Sequence, residues 1–296
     1  MGVLHAILSK ASLQQLKALL LGSLLGMAFC GPAYASDAIV VGIFPRRPAL
    51  QTEKMFTPLA NYLGQALGTP VRLEVPPDFL AFWKAVSQGR YQLVHYNPYH
   101  YVRSHKEYGY RVVAMNEEYG ERQIRATLWV RKDSNIHSVA DLKHQKIVFG
   151  GGRKAMVSYI MATDLLRQAG LQDTDYITQF TINPTHALMA VYYRQGMAAG
   201  LNLTAAKQPL LKRKLDFDQM MPLLVSEPVA MHPWAVGAMV SPQLQQRITS
   251  ALLKLNDTSD GREILRQAEL TGLAPASDTD YDPHRRIIER VLHESY

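Results

Sequence analysis

Ala38-Ile39-Val40-Val41-Gly42-Ile43-Phe44 is a short apolar run halted by Pro45, the composition of a strand buried on both faces. Thr57 to Leu67 follows, with Leu59, Tyr62, Leu63, Ala66 and Leu67 spaced to share one helical face. Val71-Arg72-Leu73-Glu74-Val75 alternates as a strand, Phe79 to Gln88 is helical and closes at Gly89, and Gln92-Leu93-Val94-His95-Tyr96 is a third strand. Strand, helix, strand, helix, strand at these intervals requires crossover connections, so a parallel sheet covered by helices is expected.

The pattern recurs further along. Lys146 to Phe149 reads as a strand, Ala155 to Ala169 as a helix ending at Gly170, and Asp175 to Thr181 as a strand. Thr185 to Gln195 is a second helix and Ala198 to Leu203 another strand. Ala126-Thr127-Leu128-Trp129-Val130-Arg131 is strand-like and stands between the two units, while Met221 to Val236 is a candidate return crossing. Gln243 to Leu255 and Pro283 to His293 are helical and are expected to pack back on the first unit. The fold class is therefore α/β, in two lobes joined by two interlobe crossings. Lobe I is expected at 36–125 plus 227–296 and lobe II at 126–226. Ligands of such sheets gather at the carboxyl ends of the strands, here in the cleft between lobes.

The chain has 296 residues, with 32 Lys+Arg against 25 Asp+Glu and one cysteine. Charged residues at 19% beside 47% hydrophobic ones exclude a disordered chain, and a single cysteine excludes an internal disulfide framework and a cysteine-based zinc or iron–sulfur site. The first 35 residues read as an export signal: Lys10 and Lys17 lead an uncharged stretch from Ala18 to Cys30, and Ala33-Tyr34-Ala35 is a small-x-small cleavage site. That stretch makes only about 20 Å of helix, short of the roughly 30 Å bilayer core. Cleavage after Ala35 would remove 35 of the 296 residues and the only cysteine, and lower the net charge from +7 to +5 by removing two lysines. A periplasmic location follows, and the modest excess of positive charge suits anions without forming a basic arm for nucleic acid.

Three loops carry chemistry. Arg46 and Arg47, after the first strand, can grip an oxyanion through charge-assisted hydrogen bonds, or stand as an ordinary basic turn. His95-Tyr96-Asn97-Pro98-Tyr99-His100-Tyr101 is an aromatic loop whose hydroxyls can donate, or whose rings simply fill core. His95, His100 and His105 recur every five residues, which does not set ligands on one helical face, so no metal is expected. Gly150-Gly151-Gly152-Arg153-Lys154 leads from a strand into a helix, where backbone N–H groups and the helix dipole favour an anion. Ala155 after Lys154 rules out a Walker loop.

No nucleophile elbow, HExxH zinc motif or cysteine nucleophile of the mature chain supports catalysis, and no enzyme is expected. Asp278, Asp280, Asp282 and Glu289 have calcium-loop spacing, but Pro283 stands where glycine is required, so Asp282-Pro283 is better read as a helix start.

Val41-Gly42-Ile43-Phe44-Pro45, Leu93 to Val102 with its Pro98-x-x-Tyr101, Val130-Arg131-Lys132-Asp133-Ser134, Ser138 to Lys143 and Leu165 to Leu171 together resemble the phosphate/phosphite/phosphonate-binding (PhnD-like) family. The resemblance covers roughly residues 38 to 292. It implies the two-lobed type II periplasmic binding protein fold and a solute receptor that delivers a small oxyanion to the permease of an ABC importer. The alternative partner is a membrane sensor kinase. A monomer without cofactor or metal is implied. The family's ligand-facing positions fall on Arg46 or Arg47, on Tyr101 or Tyr96, and on the histidine of Thr185-His186. The family's Ser-Thr-Ser-Gly turn at a helix start is replaced here by Arg153-Lys154-Ala155-Met156-Val157, following Gly151 and Gly152, with no hydroxyl until Ser158. Arg153 and Lys154 are therefore expected to supply charged donors. The acid that some members direct at an amine has no counterpart near Gly200 to Thr204.

Overall fold

The computed structural model describes residues 38–296; the expected export signal, the expected cleavage after Ala35 and Cys30 lie outside the described residues. In chain order the strands are β1 (Ile39–Ile43), β2 (Val71–Glu74), β3 (Leu93–His95), β4 (Arg111–Glu117), β5 (Gln123–Ile124), β6 (Ala126–Arg131), β7 (Lys146–Gly150), β8 (Ile177–Thr181), β9 (Ala198–Asn202), β10 (Met220–Val225), β11 (Val229–Ala230), β12 (Pro233–Val236) and β13 (Gly272–Ala274). The helices are α1 (Ala49–Leu67), α2 (Phe79–Ser87), α3 (Pro98–Tyr108), α4 (Ala162–Gln168), α5 (Pro184–Tyr192), α6 (Pro209–Lys212), α7 (Pro242–Lys254), α8 (Ser259–Gln267) and α9 (Asp282–Leu292), and a π-helical segment, Met156–Met161, runs into α4.

Two sheets result. One has the order β13-β4-β12-β3-β1-β2 and the other β10-β6-β9-β7-β8. Only β2-β1-β3 and β8-β7-β9 are parallel; β12 runs antiparallel to β3 and β4, β13 to β4, β6 to β9 and β10 to β6. The expected parallel sheets are thus mixed, because β12 and β6 each run against both of their neighbours, and β13 runs against β4. β5 and β11 pair with each other in an antiparallel ribbon outside both sheets.

The expected elements are present with local differences. α1 starts eight residues before the expected Thr57, because Thr52, Met55 and Phe56 extend its buried face toward the N-terminus, and it accommodates Pro58 within its length. It stops at Gly68, whose φ of 60° places it in the left-handed region that closes helices. The aromatic segment 95–101 is not a loop: Asn97 caps α3 through Tyr99 N–H, and Pro98 opens the helix. Asp282 is the first residue of α9 rather than its cap, with Pro283 in the first turn.

The core follows the sheets. Val41, Ile43, Phe56, Leu59, Leu63, Trp234 and Leu252 pack one face of the first sheet against α1 and α7. Trp129, Val148, Leu188, Val191 and Leu201 do the same for the second sheet against α5. A third cluster joins residues of the first sheet's other face, Val40, Phe82 and Tyr96, to Leu128, Ile147, Phe149 and Tyr159 of the second. Burying a side chain of this size contributes about 1.5–3 kcal/mol, so the two sheets are held by continuous apolar packing as well as by chain connection.

Candidate functional site

The carboxyl ends of both sets of parallel strands meet around one cavity of about 110 Å³. From the first sheet come Phe44 to Arg47 beyond β1, Asn97 beyond β3, Phe79 at the start of α2, Ile124 of the ribbon and His232 just before β12. From the second come Gly150 and Gly151 at the end of β7, Ala155 to Ser158, Ile182 to Thr185 beyond β8, and Leu201 and Asn202 at the end of β9.

Glycine is required at the turn for two different reasons. A Cβ on Gly150 would lie 2.2 Å from Asn183 C and Pro184 N, so only glycine lets the start of α5 approach the end of β7. Gly151 has φ 82°, a conformation other residues rarely adopt. The turn is then fastened by Ser158. Its Oγ accepts from Gly150 N–H at 2.8 Å and donates to Gly200 carbonyl at 2.6 Å, so this hydroxyl is engaged in holding the backbone.

Two helix starts face the cavity. Asn183 caps α5 by accepting from His186 N–H at 3.0 Å, and Pro184 fills the first turn without an N–H. Thr185 N–H has no hydrogen-bond acceptor among the described residues, and the same holds for the N–H groups of Met156, Val157 and Ser158. Both Tyr159 and Ile160 return to Ala155 carbonyl, at 3.0 and 3.1 Å, which is the wider π-helical turn that opens the segment. Four backbone donors, with the positive ends of two helices behind them, thus belong to residues lining one cavity, an arrangement that can hold an anion.

Charge on the other wall is already matched. Arg46 Nη2 donates to Glu118 Oε1 at 3.0 Å, and Arg47 pairs with Glu269. Burial alone would raise Glu118, yet Arg46, His232 and Arg47 hold its carboxyl well below the usual range. Asn116 also donates to Glu118, at 2.9 Å, while its own carbonyl accepts from Trp234 Nε1. Burial, with Arg46 and Arg47, lowers His232 against the opposing pull of Glu118. No group of three or more His, Cys, Asp or Glu side chains is arranged for a metal among the described residues.

The structure separates the residues singled out in the sequence. Arg46, Arg47 and Gly151 line the cavity; Tyr96, Tyr101, Gly152, Arg153, Lys154 and His186 do not. Tyr96 and Tyr101 are wholly buried, the latter donating to Asp278 at 2.7 Å, because the segment following β3 turns into a core helix. Arg153 is drawn outward over Tyr159 and Phe180 and donates to Tyr159 Oη at 2.7 Å. Lys154 pairs with Glu294 near the C-terminus, leaving its carbonyl to accept from Asn97. His186 is exposed, since only its N–H faces the cap. His95, His100 and His105 diverge: His95 stacks on Trp234, His100 on Phe79, and His105 Nδ1 donates to Tyr110 carbonyl.

Phe44, Asn97, Asn183, Thr185 and His232 line the cavity without having been expected there as ligand contacts. Asn183-Pro184 carries a readable signal, a capping residue before proline in the first turn. His232 carries none, being one polar residue in an apolar segment.

Two α/β sheets whose strand ends enclose one small cavity, with helix starts presented to it, define a two-lobed solute-binding protein. Solved structures of that class match closely in shape. PhnD1 from Prochlorococcus marinus (MIT 9301) in complex with methylphosphonate aligns with a TM-score of 0.77 and 15% identity, over 87% of this chain and 99% of that one. A binding protein component of an ABC phosphonate transporter from Pseudomonas aeruginosa aligns with a TM-score of 0.73 and 15% identity over 86% of each chain. A Xanthomonas citri protein bound to ATP gives 0.72 and 18%, over 87% of this chain and 99% of that one. Residues 41–281 match the model of the ABC transporter phosphonate periplasmic substrate-binding protein family. The chain belongs to that family and is a periplasmic phosphonate-binding component of an ABC transporter.

Proposed function

We propose that this protein captures one small phosphorus oxyanion in the cavity between its sheets and presents it, as a monomer, to the permease of the importer. The observation that carries the reading is the meeting of four unpartnered N–H groups, those of Met156, Val157, Ser158 and Thr185, at one cavity. Charge-assisted hydrogen bonds of this kind are roughly twice as strong as neutral ones, and backbone donors can serve where the family's hydroxyl turn is missing. The apolar walls, Phe44, Phe79, Ile124 and Leu201, exclude water from the anion and strengthen each bond. In this reading Arg46 and Arg47, each paired with a carboxylate, build the opposite wall of the cavity, and Gly151 shapes the turn.

Lobe I comprises 36–125 plus 227–296, lobe II comprises 126–226, and the β5–β11 ribbon is the hinge between them. Export removes the signal after Ala35. The cavity binds without chemistry, and a permease rather than a sensor kinase receives the loaded protein.

A thermal-shift screen of phosphate, phosphite, methylphosphonate and methanesulfonate against the mature protein tests the reading. A ligand at 100 times its Kd stabilises the native state by about 2.7 kcal/mol, which raises Tm by about 5 °C or more in a chain of this size. Unchanged Tm with every oxyanion would remove the proposal.

A further inference from the structure

His232 is the one histidine that lines the cavity, and among the lining residues it alone has a buried side-chain nitrogen or oxygen without a hydrogen-bond partner. Only 7% of the residue is exposed. Nδ1 is buried without a hydrogen-bond partner and lies 3.6 Å from Glu118 Oε1, close enough for charge to be felt and too far for a bond. The ring is held by stacking on Phe44, with centroids 5.3 Å apart and planes at 24°.

The two arginines beside it are each committed to a carboxylate, Arg46 to Glu118 and Arg47 to Glu269. The first-sheet wall therefore carries two cations and two anions. An incoming oxyanion meets no net positive charge there, and the imidazole is the one ionisable side chain of that wall not already hydrogen-bonded to an opposite charge. We infer that His232 meets the oxyanion from the first-sheet wall and takes up a proton as the anion binds. The inference rests on the oxyanion reading of the cavity and names a specificity residue within it.

The groups facing His232 set the balance. Arg46 and Arg47 from the loop beyond β1, together with burial, disfavour the imidazolium, while Glu118 beyond β4 favours it. His95 of β3 and His284 of α9 are buried beside it and are themselves held neutral by desolvation, His284 down to about 3. In the empty cavity the ring is neutral. An anion adds a second negative charge on its open side and raises the proton affinity of the ring. Affinity must then tighten as pH falls between the bound and free values of His232, by up to tenfold per pH unit for one full proton.

Isothermal titration of methylphosphonate, in buffers of different ionisation enthalpy at pH 7.5, reads the proton count directly. The wild-type protein should take up a clear fraction of one proton more than His232→Gln. The ligand's own ionisation is common to both proteins and cancels in the comparison. His232→Gln should bind on the order of 10-fold more weakly, and Glu118→Gln should lower the uptake because it removes the charge that favours the imidazolium. Should a variant fail to fold, the ring nitrogens of wild-type His232 followed by NMR must move toward the imidazolium on adding ligand; a ring that stays neutral overturns the inference. Equal proton counts and equal affinities in wild type and His232→Gln overturn it while leaving the oxyanion reading intact. A wild-type protein that binds neither methylphosphonate nor inorganic phosphate overturns that reading and the inference together.

Discussion

Glu118 keeps only 4% of its surface exposed, and its charge depends on Arg46 at 3.0 Å and the Asn116 amide at 2.9 Å. Removing one partner of a buried pair costs more than the pair contributes, because the remaining charge is left without compensation. Arg46→Met should therefore lower unfolding free energy by about 3 kcal/mol at pH 7 in a urea titration. The pH dependence has a definite sign. Glu118 is held below its unfolded value, so the stability it brings is present above the usual carboxylate range and is lost as pH falls through the lower folded value. The gap between wild type and Arg46→Met should narrow on acidification; a gap that widens would contradict the assignment. A second residue-scale outcome concerns Gly150. The 2.2 Å approach of Asn183 leaves no room for a methyl group, so Gly150→Ala must push α5 away from the turn. We expect Tm to drop by several degrees and oxyanion affinity to fall at least 10-fold, from moving donors that must sit within hydrogen-bond reach. The glycine run was legible as an anion turn because glycine followed a strand and preceded a helix. The direction of Arg153 and Lys154 was not, since leaving the turn toward Tyr159 and Glu294 depends on partners remote in sequence or decided by packing.

At the scale of elements, α3 shows where sequence pattern runs out. Pro98 to Tyr108 holds three tyrosines, two histidines and four charged or hydroxyl side chains, too polar to display an apolar stripe. Burial comes from tyrosine rings packing inward while their hydroxyls find partners, Tyr99 on Glu294 and Tyr101 on Asp278. The strands β1, β3, β6, β7 and β9 were legible because each is an apolar run between turn residues. The short strand β13 and helix α8 were not: one is three residues long and the other is mostly polar. α9 joins elements that belong to different sheets. It packs on α3 and on α4, and Arg290 makes two hydrogen bonds, at 2.9 and 2.7 Å, to buried Asp164. Arg167 caps the end of α9 by donating to the carbonyls of Arg290 and Val291. Asp164→Asn should cost about 1–2 kcal/mol in chemical denaturation, discounted because Arg290 is half exposed. Glu294→Gln should stay within about 0.5 kcal/mol, because its partner Lys154 is partly exposed and the glutamine carbonyl can still accept from Tyr99. The reverse order of the two effects would show that the terminal tail, rather than α9 itself, ties the sheets together.

For the whole molecule, the repeated order of strands and helices made two α/β units legible before any coordinate was known. Which loop ends would face one another was not legible, because convergence of residues 44–47, 97, 124, 150–151, 155–158, 182–185 and 232 is a property of the folded pair of sheets. The cavity's chemistry follows from that convergence: backbone donors and two helix starts on one side, compensated arginines and His232 on the other. A crystal structure of the mature protein grown with methylphosphonate tests this most directly. Phosphonate oxygens are expected within about 2.7–3.2 Å of the N–H nitrogens of Met156, Val157, Ser158 and Thr185, with His232 on the opposite side. A phosphonate seated instead on the side chains of Arg153, Lys154 and His186, or an empty cavity at saturating ligand, would contradict it.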